Sequence, residues 1–215
     1  MSHITITAFK WVPPFAQGLV RDLRVRWALE EIDAPYTVRT VSDEERRSPE
    51  YRAKQPFGKV PVLEIDGLAV FESGAIVQHL GENSWLLPAD AAQRARARMW
   101  MFAAMNSIDP DIIALGDIDH FASDTDRGRT RRPDVERSLR TRLNDVASAL
   151  GARDFLAGPF SAADIVMIGV LRGLRHTALV NEISALRAYR DRCEARPAFQ
   201  RALAAHMNTF TRRVA

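Results

Sequence analysis

The chain changes its grammar once, near Pro88, and that change limits what it can fold into. Up to about residue 82 short stretches of period two alternate with helical ones; beyond Pro88 no stretch reads as a strand. Ile4-Thr5-Ile6-Thr7-Ala8-Phe9 alternates apolar and polar, as a strand does. Pro13-Pro14 can open a helix, and Phe15, Leu19, Leu23 and Trp27 then recur every fourth residue up to Glu31. Tyr36 to Val41 returns to period two, and Ser42 to Lys54 is polar and weakly helical. Two apolar runs, Val60–Ile65 and Leu68–Phe71, flank Asp66-Gly67, the strongest local signal for a hairpin. Ser73 is placed to cap a helix to about Glu82. The order is a βαβ unit, a hairpin and a helix.

The second half reads as helices only. Asp90–Leu115 carries Met99, Phe102, Ala103 and Asn106 on one face; 116–132 reads as an interhelical loop or frayed end; Pro133–Leu150 closes at Gly151. Ser161 with Asp164 three residues on is a capping box ahead of Ile165-Val166-Met167-Ile168. Helices over Ile183–Ala195 and Ala198–Phe210 follow. The reading divides the chain into 1–82, a linker at 83–89 carrying Asn83, Ser84 and Pro88, and a helical domain over 90–215.

Composition narrows the class. Of 215 residues, 47% are hydrophobic and 27% charged, so the chain can bury a core. Its longest apolar runs fall far short of the ~20 residues of a membrane span. With no secretory signal and the single Cys193, there is no internal disulfide and no thiolate metal site, which makes the cytoplasm the expected compartment and a metal unexpected. The net charge of +3 rests almost wholly on arginine. The run Arg127, Arg129, Arg131, Arg132, Arg137, Arg140 and Arg142 lacks interleaved aromatics and reads as a solvated face rather than a nucleic-acid surface.

Four collinear segments carry a resemblance. Gln55-Pro56-Phe57-Gly58-Lys59-Val60-Pro61-Val62-Leu63 is similar to Asn-Pro-x-Gly-x-Val-Pro-x-Leu, Phe71-Glu72-Ser73-Gly74-Ala75-Ile76 to Glu-Ser-x-Ala-Ile, Ser161 to Asp164 to a helical-domain capping box, and Arg196-Pro197-Ala198 to a C-terminal Arg-Pro-Ala. Together they resemble the soluble glutathione transferases. The resemblance implies an α/β thioredoxin-like domain followed by an all-α domain, a homodimer, and glutathione as co-substrate for attack on a hydrophobic electrophile. A glutathione-binding protein without catalysis, or a glutathione-dependent isomerase or reductase, stays open on the same fold.

The resemblance also implies a site. Val60-Pro61 is expected to be cis, leaving the Val60 backbone free to pair with the cysteinyl backbone of the tripeptide. Glu72 suits the γ-glutamyl ammonium, and Ser73 at a helix N-terminus suits its carboxylate. Lys59 and Arg47, with Arg46 beside it, are candidates for the glycine carboxylate. One expected group is missing: such enzymes usually hold the thiolate with a Ser, Tyr or Cys early in the first helix, and none of these, nor any Thr, occurs from Ala8 to Pro35. The substitutes are Trp11, Gln17 and the backbone amides of Phe15, Ala16 and Gln17 at an N-terminus of that helix. Trp11, Phe15, Met99, Phe102, Ala103 and Asn106 are the candidate walls for the electrophile, an apolar stripe that equally suits ordinary core.

Overall fold

The computed structural model describes residues 3–211. Its sheet holds β1 (Ile4–Phe9), β2 (Tyr36–Val41), β3 (Val62–Ile65) and β4 (Leu68–Phe71) in the order β2-β1-β3-β4. β1 and β2 run parallel, joined by the crossover helix α1 (Asp22–Glu31), while β3 is antiparallel to both β1 and β4. The β3–β4 turn is the expected two-residue one: Ile65 pairs with Leu68, and Asp66 and Gly67 both take positive φ. With α2 (Pro49–Lys54) and α3 (Ser73–Glu82), these elements form a thioredoxin-like domain. The helical remainder comprises α4 (Ala91–Ala103), α5 (Asp109–Phe121), α6 (Asp126–Leu150), α7 (Ala162–Leu171), α8 (Ser184–Glu194) and α9 (Pro197–Thr211).

Three helix boundaries differ from the sequence reading, each for a local reason. The first helix does not begin at Phe15. Pro14–Ala16 form a single 3-10 turn, Gly18 takes φ +80°, and α1 starts only at Asp22. Leu23 and Trp27 keep the buried stripe, whereas Phe15 lies off it. The long helix from Asp90 is relaxed at Ala104–Ile108 into one π turn before continuing to Phe121. Most of 116–132 is helical too. Thr125 caps α6, its hydroxyl accepting from the Gly128 amide at 3.0 Å, and a Cβ on Gly128 would lie 1.9 Å from the Ala122 carbonyl oxygen. Pro133 therefore sits inside α6, not at its start.

Packing divides the chain into two compact units, one running to Leu87 and resuming at Ala195, the other spanning Pro88–Glu194. The last helix thus groups with the first unit, although the sequence reading set it within 90–215. The reason lies on α1, which is buried nearly all round. Trp27 meets Phe199 edge to face at 4.9 Å. Glu31 takes a two-pronged ion pair from Arg196 at 2.6 and 2.7 Å. Arg26, almost wholly buried, pairs with Asp22 at 2.8 Å and reaches the Ala205 carbonyl and the Thr209 hydroxyl on α9. His206 approaches the same Asp22 oxygen at 3.1 Å.

In the second unit α7 packs against α4, α5 and α8, and all but one of its residues are buried. Its start carries the predicted capping box. Asp164 accepts from the Leu156 and Ser161 amides, the Ser161 hydroxyl and the Tyr189 phenol, all between 2.8 and 3.2 Å. Cys193 is buried and forms no disulfide among the described residues.

Removing Arg26 leaves the Asp22 carboxylate buried without its strongest counter-charge, a change worth about 3–5 kcal/mol. Urea unfolding of Arg26→Ala is expected to show a loss of that size. A loss under about 1 kcal/mol would mean that Arg26 does not hold α9 to α1.

Candidate functional site

The site grows from the end of the β3 ladder. β1 and β3 pair through Ile6 and Leu63, and the next residue, Val62, gives its amide to the Thr7 hydroxyl at 2.8 Å. Val60 and Pro61 thus lie outside the sheet, and the peptide between them is cis. On the other side of β3 the last pair is Val62 with Phe71. Antiparallel register then brings Pro61 and Glu72 out of the ladder at the same end, so two segments eleven residues apart in sequence arrive side by side.

Each segment is fixed from behind. Gln55, buried, accepts from the Phe57 and Lys59 amides with one side-chain oxygen at 2.7 and 3.2 Å. Gly58 takes φ +61°, and a Cβ there would meet the Arg46 carbonyl oxygen at 2.7 Å. Arg46 donates to the Gly58 carbonyl at 3.3 Å and to Asp43 at 2.8 Å. Arg46 is therefore part of the scaffold, while Arg47 beside it is exposed. Val60 packs with Val41, Tyr51 and Val62.

The second segment differs in detail from the expectation. The cap of α3 is Glu72, and Ser73 is the first helical residue. Glu72 has φ 68° and ψ 118°, an unusual conformation for a residue with a side chain. Its carbonyl opens the helix by accepting from the Ile76 amide at 2.9 Å, and its side chain is exposed. Ser73 is only 3% exposed and receives a long 3.5 Å contact from the buried Arg24.

Among the described residues, the exposed Arg129, Arg137, Arg140, Arg192 and Arg201 hold carboxylates. Among the described residues, the side chains of Glu72, Lys59 and Arg47 have no hydrogen-bond or ion-pair partner, and all three are exposed. One anion and two cations thus border a stretch of backbone that lies outside the sheet.

The loop from Lys10 to Val20 begins and ends here, since Phe9 and Val20 both pack on the Val60 cluster. Trp11 is 64% exposed and Phe15 38%. The amides of Ala16 and Gln17, expected as thiolate donors, instead donate to the Pro13 and Pro14 carbonyls at 2.9 and 3.3 Å. They serve the 3-10 turn, and no helix N-terminus lies there. The Gln17 side chain gives one of its two N–H groups to the Val12 carbonyl at 3.3 Å.

In the helical unit, Met99, Phe102 and Asn106 are exposed and Ala103 is partly so. They share one face of α4 and its π turn, and Met99 at 58% and Phe102 at 55% exposure are surface, not core.

Sequence reasoning missed Thr7, Tyr51, Gln55 and Arg24 as supports of the site. Thr7 was visible only as a polar residue of an alternating strand, and Tyr51 lay in a stretch read as weakly helical. Gln55 at least occupied a motif position.

Residues 15–82 match the family model described as the glutathione S-transferase N-terminal domain. Glutathione S-transferase 4 of Zea mays is 30% identical over 211 residues, 92% of either chain. This chain belongs to the glutathione S-transferase family. A transferase-family structure from Burkholderia graminis, solved with two glutathione molecules bound per subunit, superposes with a TM-score of 0.82 at 25% identity, covering 94% of this chain and 88% of that one. The maleylacetoacetate isomerase of Rhizobium meliloti is 42% identical, but over 67 residues, 30% of this chain and 32% of that one.

Backbone strain at Glu72 offers a test that separates shape from charge. A glycine accepts positive φ, so Glu72→Gly is expected to leave the melting temperature unchanged or higher while removing the anion from the site. The expected result is a stable protein no longer retained on immobilised glutathione. A melting temperature several degrees lower would contradict the strain, and full retention would contradict a binding role for the carboxylate.

Proposed function

We propose that this chain binds reduced glutathione across Val60-Pro61 and transfers its thiolate to a hydrophobic electrophile. The observation that carries the reading is the unpaired set around that backbone. Glutathione has one ammonium and two carboxylates on a short peptide, and the site offers one anion, Glu72, two cations, Lys59 and Arg47, and a backbone able to pair with an extended chain. Ser73 and the α3 N-terminus supply donors for the γ-glutamyl carboxylate. The glutathione-bound relative supports this choice of ligand. Likeness to the family supports a cytoplasmic homodimer and a reaction without a metal.

Catalysis asks for more than binding. A thiol of pKa ~8.5 must drop by about two units, or about 2.7 kcal/mol, to be mainly thiolate at neutral pH. With the Ala16 and Gln17 amides engaged, the candidates that stand are the Phe15 amide, the Trp11 indole N–H and the Gln17 side chain. Trp11 and Phe15 also offer exposed aromatic surface to an electrophile.

The partial likeness to an isomerase favours a second reading: addition of the thiolate to a double bond, its release after rotation, and no net conjugation.

Two assays decide between these. The protein is expected to be retained on immobilised glutathione and to conjugate a generic aryl halide, with Trp11→Phe and Gln17→Ala each lowering kcat by roughly tenfold at most, because each removes one donor. Isomerisation of a cis-enedioic acid without consumption of glutathione would establish the second reading. Retention with neither activity would leave a binding protein, and absence of retention would sink both.

A further inference from the structure

Two buried hydroxyls form a chain that closes on the site from behind. The Val62 amide donates to the Thr7 hydroxyl oxygen at 2.8 Å, the Thr7 and Tyr51 oxygens are 3.0 Å apart, and the Tyr51 phenol donates to the Lys59 carbonyl at 2.7 Å. Proton counting fixes the direction. Tyr51 has one proton and spends it on Lys59, so Thr7 must donate to Tyr51 while accepting from Val62. The chain therefore runs from Val62 through Thr7 and Tyr51 to Lys59, with every donor used.

Its two ends are the residues flanking Val60 and Pro61. Thr7 is fully buried and Tyr51 nearly so, hence neither is placed to touch a ligand. Burial also pushes the Tyr51 phenol above its ordinary range, which keeps its proton in place across the working pH range. A leucine or valine at position 7 would be the ordinary choice for a buried strand residue. A hydroxyl there instead takes over the Val62 amide, at the point where β1–β3 pairing stops.

We infer that Thr7 and Tyr51 are positioning residues that hold the Lys59–Val62 backbone in the conformation that presents Val60 to the incoming peptide. The inference rests on the proposed glutathione site and adds to it a pair of residues on β1 and α2 that set its affinity. Because the chain acts as a unit, losing either hydroxyl frees the same four residues, and losing both adds little.

The test is calorimetric titration of the full-length chain with reduced glutathione, comparing wild type, Tyr51→Phe, Thr7→Val, the double variant and Thr7→Ser. Each single loss of hydroxyl is expected to raise Kd roughly tenfold, the double variant to add less than the product, and Thr7→Ser to restore near wild-type binding. Where an activity is measured, KM for glutathione rises while kcat and KM for the electrophile hold. Should Thr7→Val fail to fold, Tyr51→Phe against Thr7→Ser decides. Folded Tyr51→Phe with unchanged Kd, beside a wild type that binds, overturns this inference alone. A wild type that gives no heat overturns the glutathione site and this inference with it.

Discussion

Pairing between β1 and β3 stops at Ile6 and Leu63, and the whole proposed site follows from that stop. A strand that kept pairing would carry its backbone groups into the ladder and leave nothing for a ligand. Here the Val62 amide passes to a side chain, Val60 and Pro61 step off the sheet, and the β3–β4 register delivers Glu72 and Ser73 to the same end. Two short-range turns maintain this arrangement, one closed by Gln55 and Gly58, the other carried by Glu72 in its positive-φ conformation. The scaffold around the site thus joins these local turns to the apolar cluster of Val41, Tyr51, Val60 and Val62 and to the long-range hydroxyl bonds of Thr7.

Charge is distributed with the same economy. Of the arginines of α6 singled out in the sequence, Arg129, Arg132, Arg137, Arg140 and Arg142 each hold a carboxylate, mostly on the same helix or on α5. Such exposed pairs contribute little each, but they neutralise five of the seven arginines of the basic run.

How much was legible depended on the range of the forces involved. The Asp66-Gly67 turn, the Ser161–Asp164 box and the two site motifs are local, and the chain wrote them in adjacent residues. The start of the first helix was misread because the fourfold stripe through Phe15 and Leu19 outweighed one glycine, whereas Gly18 at positive φ ends any helix there. Pro133 reads as a helix start, although Thr125 and the close approach at Gly128 begin α6 ahead of it. The attachment of α9 to α1 was beyond reach: Arg26, Asp22 and His206 are polar residues whose burial is decided by tertiary packing across some 180 residues. Thr7 and Tyr51 were hidden for the same reason, as their partners lie 44 and 55 residues away.

The most direct measurement is a crystal structure of this protein grown with reduced glutathione. The account predicts the tripeptide extended alongside Val60, its cysteinyl N–H and C=O paired with that residue's backbone, the γ-glutamyl end at Glu72 and Ser73, and the glycine carboxylate towards Lys59 or Arg47. Density for the tripeptide at any other place, with the Val60 backbone left bare, would contradict it.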